Sequence, residues 1–102
     1  MKNVRQDEWE TLIEQDPNAV VLDVRTEDEC AEGMLPNAVC INFFEREHFF
    51  DEMRKLDRDK NYYVYCRSGN RSGMACQFME SFGFENTVNL NGGLLLWKGD
   101  LK

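Results

Sequence analysis

The chain has 102 residues, with 12 Lys and Arg against 19 Asp and Glu, for a net charge of −7. That length suits one domain over residues 1–102, able to bury roughly 65% of its unfolded surface. An acidic balance argues against a nucleic-acid-binding footprint, and no apolar run approaches the ~20 residues of a membrane span.

The acidity is localised. Residues 1–33 hold ten acids and three bases, whereas residues 34–102 hold nine of each. The opening "MKNVRQDEWE" is charged and has no signal-peptide core, so the expected compartment is the cytoplasm. A short strand is expected near Asn3 and Val4. Trp9, Leu12 and Ile13 then follow helical spacing over about residues 6–15, and "DPN" at 16–18 marks a turn. "AVVLDV" at 19–24 is an almost unbroken apolar run, as in a strand buried on both faces of a parallel sheet. Thr26 caps a short acidic helix that stops at Gly33.

"AVCINF" at 38–43 reads as the next buried strand, and 44–56 as a helix with Phe49, Met53 and Leu56 on one face. "NYYVYC" at 61–66 is an aromatic strand. The helix expected over 71–82 places Met74, Ala75, Phe78, Met79 and Phe82 on its buried side, with Gly83 as its C-cap. "TVNL" at 87–90 is a last strand, and "GGLLLWKG" a turn into a short final helix. Strands alternating with helices predict an α/β domain with a mainly parallel sheet of about five strands flanked by helices.

Four cysteines, Cys30, Cys40, Cys66 and Cys76, form no CxxC pair, and the single His48 lies in another segment, so no metal site is expected. Cys30, Cys40 and Cys76 read as small buried hydrophobes, and disulfides are not expected without an export signal. Cys66 differs. It ends a strand, where ligands of open α/β sheets bind, and opens the loop "CRSGNRS". Between Tyr62 and Met79 there is no acid, only Arg67 and Arg71. Gly69 frees the loop backbone, and the helix that follows points free N–H groups toward the sulfur. A thiol so placed should ionise below its free value of ~8.5 and hold an anionic substrate. Arg67, Ser68, Gly69, Asn70, Arg71 and Ser72 are the candidate anion site. Asp23 and Arg25, at a neighbouring strand end, are supporting candidates. Asp23 either positions a loop arginine or is structural, while Arg25 is expected to pair with Glu29 one helical turn on.

The "CRSGNRS" loop, a C-x4-R followed by Ser72, resembles the active-site loop of single-domain rhodaneses, the thiosulfate sulfurtransferases. "VVLDVRTEDECAEGMLPNAVCINF" is similar to the family's N-terminal signature and "NLNGGLLLW" to its C-terminal one, so the resemblance spans nearly the whole chain. Met34, Asn37 and Cys30 stand where the family often has histidine, glycine and an aromatic. The resemblance implies a three-layer rhodanese-like fold, no cofactor, and a ping-pong reaction. In it the Cys66 thiolate takes the outer sulfur of thiosulfate, releases sulfite, and passes the persulfide sulfur to cyanide, a thiol or a protein acceptor. Such a scheme needs neither an added acid nor a base, so His48 has no role in it. Trp97 and the leucines before it read as core or pocket wall, and Gly92 and Gly93 as a tight turn.

A persulfide carrier or partner-binding module with incidental thiosulfate activity is the alternative within the same chemistry. A small phosphatase or arsenate reductase is disfavoured, because those relatives use the longer C-x5-R loop.

Overall fold

A computed structural model describes residues 1–101. The elements are β1 (Lys2–Val4), α1 (Gln6–Glu14), β2 (Ala19–Asp23), α2 (Glu27–Ala31), β3 (Val39–Cys40), α3 (Arg46–Lys55), β4 (Asn61–Tyr65), α4 (Asn70–Ser81), β5 (Thr87–Leu90) and a 3-10 turn (Gly93–Leu96). All five strands are parallel, in the order β1-β5-β4-β2-β3. The expected α/β class, strand count and flanking helices are all present. No helix is long and apolar enough to cross a membrane.

The alternation of β4 explains the three layers. Tyr62, Val64 and Cys66 point to one face, against Phe49 and Met53 of α3 and Ala75, Cys76 and Met79 of α4. Tyr63 and Tyr65 point to the other, against Trp9 of α1, Leu35, Leu94 and Trp97. Both faces of the central strand are therefore dry, which is why its sequence is a continuous apolar run. The connection from β2 leads outward to β3 and that from β4 leads the opposite way to β5. The carboxyl ends of β2 and β4 thus flank a point where the chain diverges, the usual ligand position in such sheets.

Four expectations need correcting. The strand expected over 38–43 reduces to Val39–Cys40, because β2 beside it ends at Asp23 and leaves to form the α2 cap; only the backbone bonds from Ile41 to Asp23 and Phe43 to Val24 continue the alignment. Of the leucines expected as core or pocket wall, Leu95 and Leu96 are exposed, with Leu96 beside Trp97 in a surface cavity, since the tight 3-10 turn directs only Leu94 and Trp97 toward α1. Met74 is likewise exposed on α4. Cys30 and Cys40 are disulfide-bonded, with Cα atoms 6.6 Å apart, inside the range a disulfide spans. Their ten-residue separation carries no pairing signal. The return of the chain from α2 to the β3 edge brings them together.

Asn37, where the resemblance leads one to expect glycine, has φ 64°. Asparagine is among the few residues that accept this left-handed conformation at modest cost.

Asp23 is fully buried at the end of β2 and is paired with Arg25. Arg25 Nε donates to both Asp23 oxygens at 2.9 and 3.0 Å, and its Nη2 reaches Asp23 Oδ2 and the Gly33 carbonyl at 2.6 Å each. The pair ties the end of β2 to the far end of α2. Asp23→Asn is expected to lower the free energy of unfolding in urea by about 3 kcal/mol, because removing one charge strands the other in a buried site. A loss no larger than the ~1 kcal/mol of an exposed pair would show that Arg25 finds solvent once Asp23 is gone.

Candidate active site

Cys66 follows the last residue of β4, and its side chain is 0% exposed. Its sulfur is the acceptor for the Gly69 N–H at 3.1 Å and for both the N–H and the hydroxyl of Ser72 at 3.4 Å. The loop can curl this tightly because Gly69, the N-cap of α4, has φ 96°. A Cβ at that position would also sit 3.2 Å from the Leu90 carbonyl. Burial alone would push the Cys66 thiol up. Hydrogen bonds from the Ser72 side chain and from the N–H groups of Ser72, Gly69 and Ser68 outweigh it and hold the thiol below its ordinary value. Cys76, buried within α4, is pushed up to about 12 by burial, which the Thr87 hydroxyl only partly offsets. One thiol is thus prepared for ionisation and the other is not.

The loop backbone is pinned from outside. Leu94 N–H donates to the Cys66 carbonyl at 3.1 Å and Leu95 N–H to the Arg67 carbonyl at 2.9 Å. This approach explains the double glycine. A Cβ on Gly93 would lie 2.5 Å from both carbonyl oxygens, closer than side-chain carbons come to backbone. Gly92 and Gly93 therefore do form a turn, and the turn carries the strap across the loop.

The expected charge partners are exchanged. Arg25 does not pair with Glu29, and Asp23 does not position a loop arginine; Asp23 and Arg25 hold each other. Glu29 instead takes the loop's Arg71 in a two-pronged pair, Nη1 to Oε1 at 2.7 Å and Nη2 to Oε2 at 2.9 Å. The reason is local. Asp23 and Arg25 point to the same side of one extended segment, so the arginine folds back at once. Glu29 is turned toward α4 by a capping box with Thr26, whose hydroxyl accepts from the Glu29 N–H at 3.2 Å and whose own N–H donates to Glu29 Oε1 at 3.1 Å. The T-x-x-E spacing of that box was legible in the sequence; its reach to Arg71 was not. The Arg71 hydrogen bonds hold the Glu29 carboxyl down to about 2.

The remaining predicted residues fall around this centre. Arg67 and Ser68 are exposed on the loop, and Asn70 is exposed at the first turn of α4. Arg67 has no ion pair among the described residues. Phe44, 58% exposed, places its ring 5.1 Å from the Arg71 guanidinium. Leu95 and Leu96, 61% and 64% exposed, flank the strap. An apolar rim of this kind was not read from the sequence, because these residues are indistinguishable there from core. Asn89, buried on β5, was also missed; its amide oxygen accepts from the Ser72 hydroxyl at 2.5 Å. His48 is exposed on α3. Among the described residues no group of His, Cys, Asp and Glu could hold a metal ion.

Comparison with known proteins gives a consistent result. The family model described as the rhodanese-like domain matches residues 6–100. YtwF of Bacillus subtilis (strain 168), which carries sulfurtransferase in its name, is 42% identical over 90 residues, 88% of this chain and 84% of that protein. A sulfurtransferase of Allochromatium vinosum is 33% identical over 81 residues, 78% of this chain and 72% of the relative. Other relatives carry the names of a sulfur carrier protein and of tRNA uridine(34) hydroxylases, and the chain spans only 36% of one of the hydroxylases. The crystal structure of a rhodanese-like domain protein from Staphylococcus aureus superposes with a TM-score of 0.86 at 29% identity, covering 100% of this chain and 97% of that one. The relatives support a sulfurtransferase role in general terms, and the chain belongs to the rhodanese-like domain family.

Proposed function

We propose that the protein, acting as one rhodanese-like domain, moves a sulfane sulfur from thiosulfate or another persulfide donor to a thiol acceptor through a persulfide on Cys66. The observation that carries this reading is the ring of N–H and hydroxyl donors on the Cys66 sulfur. They favour the thiolate at rest. The thiolate attacks the outer sulfur of thiosulfate, the S–S bond breaks, and sulfite leaves with the bonding pair. The persulfide's terminal sulfur is then taken by an acceptor thiolate, which restores the Cys66 thiolate. Neither step needs a proton donor, because each leaving group departs as a stable anion.

Cys66 is covered at rest, so the loop must part at the exposed Arg67 and Ser68 for a donor to reach the sulfur. Arg67 would then meet the departing sulfite with a free charge. Arg71, held by Glu29, would supply a fixed one. Asn70, at the start of α4, stands beside the same opening. The four residues between Cys66 and Arg71 suit sulfur better than the larger tetrahedral oxyanion of a phosphatase.

A persulfide carrier acting on a protein partner is the second reading, and the rim of Phe44, Leu95 and Leu96 favours it, because a small dianion has no use for exposed apolar surface. Thiosulfate saturation only at millimolar levels or above, set against rapid transfer from a protein persulfide, would select the carrier.

Intact-mass measurement after incubating reduced protein with thiosulfate should show a gain of one sulfur atom, absent in Cys66→Ser; persistence of the gain in that variant would remove Cys66 as the nucleophile. Arg71→Ala should lower kcat/KM for thiosulfate by about tenfold to a hundredfold, the worth of one charge-assisted contact, while Cys76→Ala leaves it nearly unchanged. Equal losses would mean that the loop charge is not the anion site.

The Glu29–Arg71 pair also makes a pH prediction. The folded-state Glu29 carboxyl lies near 2 against an ordinary 4.5. Its stabilising contribution is therefore complete above about 4.5 and is lost as pH falls through about 2. The stability difference between the protein and Glu29→Gln should shrink over that window, followed by denaturant midpoints. A difference that stays constant down to the lower limit would show that Glu29 acts through packing.

A further inference from the structure

Beneath the loop, the Ser72 hydroxyl has one proton and two acceptors. Cys66 Sγ lies 3.4 Å away and Asn89 Oδ1 2.5 Å away. The Asn89 amide cannot turn over to relieve this competition. Its nitrogen donates to the Gly69 carbonyl at 3.3 Å and to Asn3 Oδ1 at 2.9 Å. The Gly69 carbonyl can only accept, so the amide nitrogen must face it and the amide oxygen must face Ser72. Both hydrogens of the amide are used, and the Ser72 hydroxyl is the only hydrogen-bond partner of its oxygen among the described residues. Asn89 is itself enclosed by the sheet. It is 5% exposed and lies on β5 between β1 and β4, opposite Asn3 on one side and Val64 on the other.

We propose that Asn89 is a positioning residue that gives the Ser72 hydroxyl a second resting direction, so that the hydroxyl swings to the sulfur when Cys66 is a thiolate and returns to Asn89 when the charge leaves. No covalent bond changes in this motion. The hydroxyl rotates about its C–O bond and keeps its proton. When Cys66 carries a persulfide, the negative charge resides on the outer sulfur and the inner sulfur becomes a poor acceptor. The hydroxyl then donates its hydrogen bond to Asn89 and is not left unsatisfied in a buried site. When the acceptor removes the outer sulfur, the charge reappears on Cys66 and the hydroxyl turns back. Asn89 thereby limits how strongly Ser72 favours the resting thiolate. A thiolate held too far down is a weaker nucleophile, so moderation is useful in a site that must attack.

The proposal rests on Cys66 as the nucleophile for its catalytic meaning, but its test does not. The titratable groups around the sulfur are Arg67 of the loop and Arg71 and Cys76 of α4. Glu29 of α2 is taken up by Arg71, and Asp23 and Arg25 beyond β2 by each other. β5 and the 3-10 turn carry no ionisable side chain. Cys76 is pushed up to about 12 and stays neutral in the range of interest.

The experiment is the pH dependence of iodoacetamide alkylation at Cys66, read by peptide mass on the full reduced chain, in four proteins: unaltered, Asn89→Ala, Ser72→Ala, and both together. Asn89→Ala should lower the apparent pKa of Cys66 by about one unit, a tenfold gain in the thiolate-to-thiol ratio, as the hydroxyl is left free to donate its hydrogen bond to the sulfur alone. In the Ser72→Ala background the same substitution should shift it by less than about 0.3 units, since the path through the hydroxyl is gone. Equal shifts in both backgrounds, an upward shift, or none in either would overturn the proposal. Should Asn89→Ala fail to fold, Asn89→Val, which suits a strand and removes the same acceptor, gives the same reading. Persistence of the one-sulfur mass gain in Cys66→Ser would sink the sulfurtransferase mechanism while leaving this titration intact. A failed double-mutant cycle would sink the role of Asn89 while leaving the mass gain intact.

Discussion

Everything at this site depends on the N–H groups of Gly69 and Ser72 reaching one sulfur at the end of a buried strand. A thiol enclosed by protein ordinarily resists ionisation, because a buried charge loses its hydration. Here the α4 N-terminus supplies donors that have no partner within the helix. The loop makes them converge. The site therefore gains anion stabilisation without a metal ligand set, an acid or a base. Its cost is geometric, since the backbone must adopt a left-handed turn at Gly69 and stay there.

The surrounding structure serves that geometry. The 3-10 turn after β5 donates two N–H groups to the loop carbonyls, and it gets close enough only because Gly93 has no side chain. α2 holds Arg71 through Glu29, and the buried Asp23–Arg25 pair holds the far end of α2 through the Gly33 carbonyl. β5 contributes Asn89 from below. Four segments distant in sequence thus restrain one seven-residue loop. The exposed side chains of Phe44, Leu95 and Leu96 are outside this set of restraints.

The contrast between Cys66 and Cys76 shows how little residue type decides. Both are buried, ten positions apart, one before α4 and the other within it. Four converging hydrogen bonds lower one, while burial, only partly offset by Thr87, raises the other to about 12. Cys30 and Cys40 make the same point differently, being joined to each other by the return of the chain to the sheet edge.

The sequence by itself determined the class and order of the elements and the segment that forms the loop around Cys66. "NYYVYC" and "AVVLDV" are almost unbroken apolar runs because both sheet faces are covered, and "CRSGNRS" concentrates a thiol, a glycine and two arginines between a strand and a helix. These are local properties, set by neighbours in the chain. Tertiary structure decided the pairing. Whether Glu29 meets Arg25 or Arg71, whether Leu95 faces core or solvent, and whether Asn89 reaches Ser72 all depend on how separate segments cross at the carboxyl edge of the sheet. A side chain's partner is the nearest complementary group in space, and strand order, not sequence spacing, sets that distance.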